Sequence, residues 1–163
     1  MKILLIKRGA IGDLLMATPL IRQLKQRLNC NLDIIVGKSA SIALINFTLK
    51  RVVNFSRALL KLRGKYDYVF VLDKHWYFNC MANLLGAPVI GYARDMISNL
   101  VLHKSVAYND INRYQGMYYL DLLSASQLTG ANYTDLKLDL TVMTADKLLV
   151  EEFIFQNKLT NYV

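Results

Sequence analysis

Apolar residues along this chain come first as short unbroken runs and then at helical spacing. Lys2–Lys7 reads KILLIK, four apolar residues between two lysines. A run without alternation suits a strand buried on both faces, as in a parallel sheet. Arg8–Gly12 is a turn punctuated by Gly9 and Gly12. From Asp13 to Leu28 the period changes. Ala17, Ile21, Leu24 and Leu28 share one helical face, and Arg22, Gln23, Lys25, Gln26 and Arg27 the other. Pro19 is expected to kink this helix near its start, because it lacks an N–H and crowds the preceding turn.

Leu32–Val36 reads as a second strand, Ser39–Leu49 as a helix and Val52–Phe55 as a short third strand. Ser56 is placed to cap a helix over Arg57–Arg63, with Gly64 ending it. Tyr66–Leu72 (YDYVFVL) is rich in aromatic and β-branched residues and predicts a strand. Trp76–Leu85 predicts a helix closed by Gly86, Pro88–Tyr92 a strand, and Tyr114–Leu128 a helix ending at Gly130. Ala145–Leu159 predicts a last helix, with Thr144 as its N-cap. Strand and helix alternate over short connections. That predicts a doubly wound, mostly parallel α/β sheet of Rossmann-like type, with about five to seven strands.

Composition narrows the class. The chain has 163 residues, 54% of them hydrophobic. The length suits one domain over 1–163, and the apolar content excludes a disordered chain. No run approaches the roughly 18 apolar residues of a membrane span. The opening run is shorter than the about 7 apolar residues of a signal-peptide core. A cytoplasmic protein is expected. Cys30 and Cys80 lie far apart and read as buried, reduced thiols. With only His75 and His103 beside them, no metal site is expected.

Charge adds a partner class. The formal net charge is +8. No acid lies between Asp33 and Asp67, while Lys38, Lys50, Arg51, Arg57, Lys61, Arg63 and Lys65 do. Such a stretch presents a positive surface to nucleic acid, an anionic membrane or a phosphorylated substrate.

Ligands of open parallel sheets bind at the carboxyl ends of the strands. The turn Arg8–Asp13, RGAIGD, falls there. It is neither GxGxxG nor a P-loop, since no GK[ST] follows. Asp13 in that turn would repel a phosphate. It suits either of two roles, an N-cap or an acceptor for the proton of a neutral hydroxyl. Asp73, Lys74 and His75 follow a strand end, and His75 is of a type that titrates near neutrality or serves as a plain loop residue. Arg94 follows another strand, as a cleft cation or a surface charge. Tyr108, Tyr114, Tyr118 and Tyr119 are expected to pack a helix rather than form a sugar platform.

Met1–Pro19, MKILLIKRGAIGDLLMATP, resembles the opening of the ADP-heptose:lipopolysaccharide heptosyltransferases, glycosyltransferase family 9. That opening is a short strand, a Gly-Asp turn and a helix containing Thr-Pro. Tyr66–Asp73 is similar to the family's YDxVxDL strand. Ala87–Arg94 (APVIGYAR) is similar to its AxxRIGF segment, with Val89 where Arg is usual. His103 to Gly130 resembles the stretch with a YLxLLxxLG helix. The resemblance implies a GT-B fold, two Rossmann-like domains facing across a cleft, of which this chain is the N-terminal, acceptor-side half. The C-terminal, donor-binding domain is then absent from the chain, which alone is expected to be inactive.

The same resemblance implies Asp13 as general base and Gly9, Gly12, Arg57, Lys61, Arg63 and Arg94 as acceptor-binding residues. It implies an anionic glycolipid acceptor of the lipid A–Kdo type, peripheral contact with the inner membrane, and no nucleic acid. A nucleotide sugar of the ADP-heptose type would bind only with a C-terminal domain, and no metal or cofactor is implied. Two other readings stay open. One is a free-standing, non-catalytic module that holds an anionic glycolipid or partner. The other is an unrelated nucleotide-binding α/β protein, which the missing glycine fingerprint disfavours.

Overall fold

A computed structural model describes residues 1–36, 51–52, 61–108 and 113–139. Its strands are β1 (Lys2–Lys7), β2 (Asn31–Val36), β3 (Arg51–Val52), β4 (Tyr68–Val71), β5 (Val89–Ala93) and β6 (Lys104–Ala107). Its helices are α1 (Ile11–Leu15), α2 (Thr18–Leu28), α3 (Trp76–Asn83), α4 (Met96–Val101) and α5 (Gln115–Ser126). The strands form one sheet in the order β3-β2-β1-β4-β5-β6, and every pairing is parallel. This is the doubly wound α/β sheet that the pattern predicts.

β1 is central, and its run of apolar residues explains why. Ile3 and Leu5 pack into one core with Leu14, Leu20, Ile21 and Leu24 of α1 and α2 and Leu120 and Leu123 of α5. Leu4 and Ile6 point the other way, into a core with Ala82 of α3, Val69 and Val71. A strand with both faces covered has no polar position to spare, so alternation disappears. Truncating any of these four side chains to alanine is expected to cost about 2–5 kcal/mol, the usual scale for a fully buried aliphatic.

The expected helix over Asp13–Leu28 is two helices. Met16 and Ala17 form a turn between them, with the Ala17 N–H donating to the Leu14 carbonyl at 3.0 Å. Pro19 stands in the first turn of α2. There its missing N–H costs nothing, so Pro19 starts a helix instead of kinking one. Thr18 Oγ1 donates to the Leu15 carbonyl at 2.7 Å and tightens the junction.

Other boundaries shift for local reasons. α5 ends at Gln127, which takes the left-handed conformation (φ 59°) expected of Gly130. Gly64 and Gly86 do adopt positive φ, 68° and 75°. α4 and β6 are additions the pattern does not predict. Cys30 and Cys80 are free thiols, half-buried rather than buried. Burial pushes the Cys30 thiol up. Tyr118 and Tyr119 pack into the core as expected, whereas Tyr114 is exposed. Of β3 only Arg51 and Val52 are described, paired with Ile34 and Ile35. The helices expected over Ser39–Leu49 and Ala145–Leu159, and the start of the one capped by Ser56, lie outside the described residues.

Candidate functional site

At the switch point of the sheet, β1 is followed by the RGAIGD turn and β4 by Asp73-Lys74-His75. A crevice opens there at the carboxyl ends of the strands, as it does in open α/β sheets. Its volume is about 380 Å³, and Asp13, Asp73, Lys74, His75, Arg94 and Tyr119 line it with Lys7, Gly9, Phe78 and Gln115.

Lys7 organises the floor. Only 5% of it is exposed, and its ammonium lies 3.1 Å from Asp13 Oδ2 and 3.1 Å from Asp73 Oδ1. Asp73 Oδ2 accepts the Arg8 backbone N–H at 2.8 Å, so the β4 carboxylate is bound at both oxygens. A buried ammonium needs such partners, because an unpaired ion in that setting costs several kcal/mol. Two carboxylates around one ammonium leave a net negative charge at the floor.

Asp13 is the open member of this trio. Its side chain is 43% exposed against 11% for Asp73. It sits in the first turn of α1, but the N-cap position is held by Ala10, with no side-chain cap bond. Asp13 is therefore not the cap that its place in the turn suggested. Its carboxylate spends one oxygen on Lys7 and turns toward the crevice.

Gly9 makes this possible. A Cβ there would stand 2.5 Å from Asp13 Oδ2 and 2.5 Å from Lys7 Nζ, in the path of the bridge. Gly12 has no such role. A Cβ on it would meet nothing within 4 Å, and it is not among the residues lining the crevice.

The opposite wall carries cations and rings. Lys74 Nζ donates to the Tyr108 hydroxyl. The Arg94 guanidinium lies over the same ring, 5.4 Å from its centre. His75 caps α3, its Nδ1 accepting the Tyr77 N–H at 3.2 Å. Tyr119 is buried, and burial with the Asp13 and Asp73 charges pushes its hydroxyl far up. It faces the floor as a neutral phenol.

Of the residues expected to bind an acceptor, Gly9 and Arg94 come to the crevice with Asp13. Lys61 and Arg63 do not. They precede Gly64, whose N–H donates to the Leu85 carbonyl at 2.9 Å, and Asp67, whose N–H donates to the Lys2 carbonyl at 2.8 Å. These bonds fix that turn at the amino ends of β1 and β4, the opposite edge of the sheet. Arg57 lies outside the described residues. Lys7, Gln115 and Tyr119 went unrecognised in the sequence. Lys7 did carry a signal, a lysine closing a buried strand one residue before a glycine turn. Gln115 arrives from α5, far along the chain, and carries none, while Tyr119, expected only to pack a helix, packs there and lines the crevice as well.

Among the described residues no group of three His, Cys, Asp or Glu side chains could hold a metal ion, and no helix is long and apolar enough to cross a membrane.

No family model and no curated protein sequence matches the chain. Solved structures do. A glycosyl transferase family 9 protein from Veillonella parvula superposes with a TM-score of 0.74 over 98% of this chain and 50% of its own, at 15% identity. E. coli ADP-heptose lps heptosyltransferase II gives 0.72 over 99% of this chain and 52% of its own, at 19% identity. The fold is that of half a heptosyltransferase chain. E. coli heptosyltransferase WaaC, solved with ADP, gives 0.67 over 85% of this chain and 50% of its own, again at 19% identity. The chain thus spans about half the length of the heptosyltransferase structures it matches.

Proposed function

We propose that this chain is the N-terminal, acceptor-side half of a heptosyltransferase-type glycosyltransferase of lipopolysaccharide core synthesis, with Asp13 as general base. The observation that carries the reading is the Asp13 carboxylate. It is half-exposed at the mouth of the crevice, braced by Lys7 through one oxygen, on a fold shared with heptosyltransferases.

The chemistry follows from that geometry. A hydroxyl oxygen of the acceptor attacks the anomeric carbon of a nucleotide sugar. Its proton passes to Asp13. The bond from that carbon to the diphosphate oxygen breaks, and the nucleotide diphosphate leaves with the electron pair. A base positioned in this way is worth about 10²–10⁴-fold. The Lys7 bridge occupies Oδ2, so Oδ1 is the oxygen offered to the proton. Lys74 and Arg94 on the facing wall suit a phosphate or carboxylate of an anionic glycolipid, of the lipid A–Kdo type. Gly9 keeps the base and its brace in contact. The donor, of the ADP-heptose type, belongs to a C-terminal domain, and the reaction belongs on the cytoplasmic face of the inner membrane.

The test pairs this chain with a heptosyltransferase donor domain and follows sugar transfer to a lipid A–Kdo acceptor. The wild-type pair is expected to turn over, and Asp13→Asn to lower turnover by about 10²-fold or more. Undiminished transfer by Asp13→Asn would remove the base. Transfer by the 163-residue chain alone would remove the division into halves.

A further inference from the structure

α5 brings two polar groups to the crevice that the proton transfer to Asp13 does not use. Gln115 and Tyr119 stand four residues apart on this helix, so they share one face, and both line the crevice. Tyr119 is 1% exposed and packs into the core with Leu120, Leu123, Ile3 and Leu5. A side chain so enclosed reaches the crevice only with its tip, the hydroxyl. Burial, and after it the charges of Asp13 and Asp73, push that hydroxyl up, so it keeps its proton. It feels both carboxylates and bonds neither.

A series of polar contacts leads to it. Lys74 Nζ donates to the Tyr108 hydroxyl, which donates to Gln115 Oε1 at 3.4 Å. With its oxygen engaged there, the amide of Gln115 has its nitrogen left for the Tyr119 side. Gln115 Nε2 is buried and completes no hydrogen bond, although the Tyr119 oxygen is near enough to feel it. The amide therefore favours one setting of the phenol, with its oxygen toward Nε2 and its hydrogen away. Among the described residues nothing accepts that hydrogen. Buried polar groups are rarely left unpaired, and one at the wall of a crevice is completed by what the crevice holds.

Charge selects the partner. Asp13 and Asp73 around Lys7 leave the floor net negative, so an anionic group is repelled from this end. The attacking hydroxyl is engaged elsewhere, since its proton goes to Asp13. What fits is an uncharged oxygen close to the attacking one. On a sugar that is the oxygen of the adjacent carbon.

We propose that Tyr119 donates a hydrogen bond to the sugar oxygen next to the attacking hydroxyl, and that Gln115 holds the phenol in position to do so. The crevice is then selective for an acceptor with two adjacent oxygens, one to react and one to be read. The inference rests on the glycosyl-acceptor reading of the crevice and deepens it. Tyr119 acts on binding and specificity and takes no part in the proton transfer.

The experiment titrates the 163-residue protein, by the shifts of its amide NMR signals, with a Kdo methyl glycoside and with the analogue lacking the hydroxyl next to the reacting one. Tyr119→Phe removes one oxygen atom and keeps the ring in the core, so its urea midpoint is expected to stay close to that of the wild type. Its affinity for the parent glycoside should fall about tenfold. The wild type should lose about the same factor on the deoxygenated analogue. Tyr119→Phe should bind analogue and parent alike, because the two changes remove one and the same bond.

Equal affinity of Tyr119→Phe and wild type for the parent would overturn the proposal, as would a wild type that binds neither glycoside. So would a wild type indifferent to the missing hydroxyl, with Tyr119→Phe weakened equally on both, the mark of a purely structural tyrosine. Transfer by the chain paired with a donor domain is scored separately. Transfer that Tyr119→Phe leaves unchanged ends the contact and keeps the function. The expected binding pattern without transfer keeps the contact and ends the transferase reading.

Discussion

Lys7 holds a full charge in a place where an ion is tolerated only with partners. Lys7→Met would leave Asp73, 8% exposed, facing Asp13 with no cation between them. The expected loss of stability is about 3 kcal/mol or more, read as a lower urea midpoint. Adding Asp73→Asn should restore part of it, since the stranded charge is then gone. The two glycines of the turn should respond in opposite directions. A methyl at Gly9 collides with the ends of two flexible side chains, so Gly9→Ala should part Lys7 from Asp13 at about 1 kcal/mol, the scale of a half-exposed ion pair. Gly12→Ala, in a helix with open space around it, should gain up to about 1 kcal/mol. Chemical denaturation of both variants checks the contrast. The place of Asp13 was legible in sequence because a turn after a buried strand locates a carboxyl edge. Its brace was not, because nothing in the sequence marks Asp73 as lying across from Lys7 until β1 and β4 pair.

α2 does more than cover the sheet, for it is also the dock of the segment after α5. Arg22 binds Asp135 through Nε and Nη2 at 3.1 and 2.6 Å, bonds the Asp139 carboxylate, and donates to the Lys137 carbonyl at 3.0 Å. Gln23 and Asn132 exchange two bonds of 2.8 Å, and Arg27 holds the Gly130 carbonyl at 2.8 Å. Arg22→Ala is expected to release the Lys137–Asp139 end first. Amide exchange at Asp139, whose N–H is held by Thr18 Oγ1, should accelerate while exchange in β1 stays unchanged. Hydrogen exchange read by mass spectrometry decides it. Elements with an apolar face were legible in the chain, and those whose apolar side faces water were not. α4 carries a readable cap in Asp95, yet Met96, Ile97 and Leu100 are outside and Ser98 inside, so periodicity points the wrong way. β6 alternates half-buried with exposed over four residues, too short a pattern to separate from a loop.

Across the whole molecule, buried tyrosines tie stability to alkaline pH. Burial pushes up the hydroxyls of Tyr66, Tyr92 and Tyr119, and for Tyr66 a 2.9 Å bond to Asp33 adds to it. Unfolded tyrosines lose their protons near pH 10 while the folded ones keep them, so above about pH 10 the unfolded state holds fewer protons and stability falls. Urea midpoints should be flat from about pH 8 to 9.5 and drop beyond pH 10, with a shallower drop in Tyr66→Phe. A flat profile to pH 11, at least one unit above the usual tyrosine range, would show that these hydroxyls titrate normally. At this scale the parallel sheet was legible from its apolar runs. The placement of charge was not. Lys61 and Arg63 of the acid-free stretch before β4 lie at the amino edge, because the turn at Gly64 that follows them is tied to the Leu85 carbonyl and, through Asp67, to the Lys2 carbonyl.

The central place of β1 has a consequence during synthesis. Its partners on either side are Asn31–Val36 and Tyr68–Val71, so β1 is made well before its second partner and stays open on that side until β4 arrives. At ribosomal rates of about 5–20 residues per second, the run waits roughly 3–13 s for β4 to emerge. Meanwhile Ile3–Ile6 is a sticky tetrad with a lysine at each end. Charged flanks of that kind discourage a nascent strand from pairing with its neighbours on other chains. Lys7 thus serves twice, first as a guard on an unfinished polypeptide and then, once β4 arrives, as the ion that joins Asp13 to Asp73.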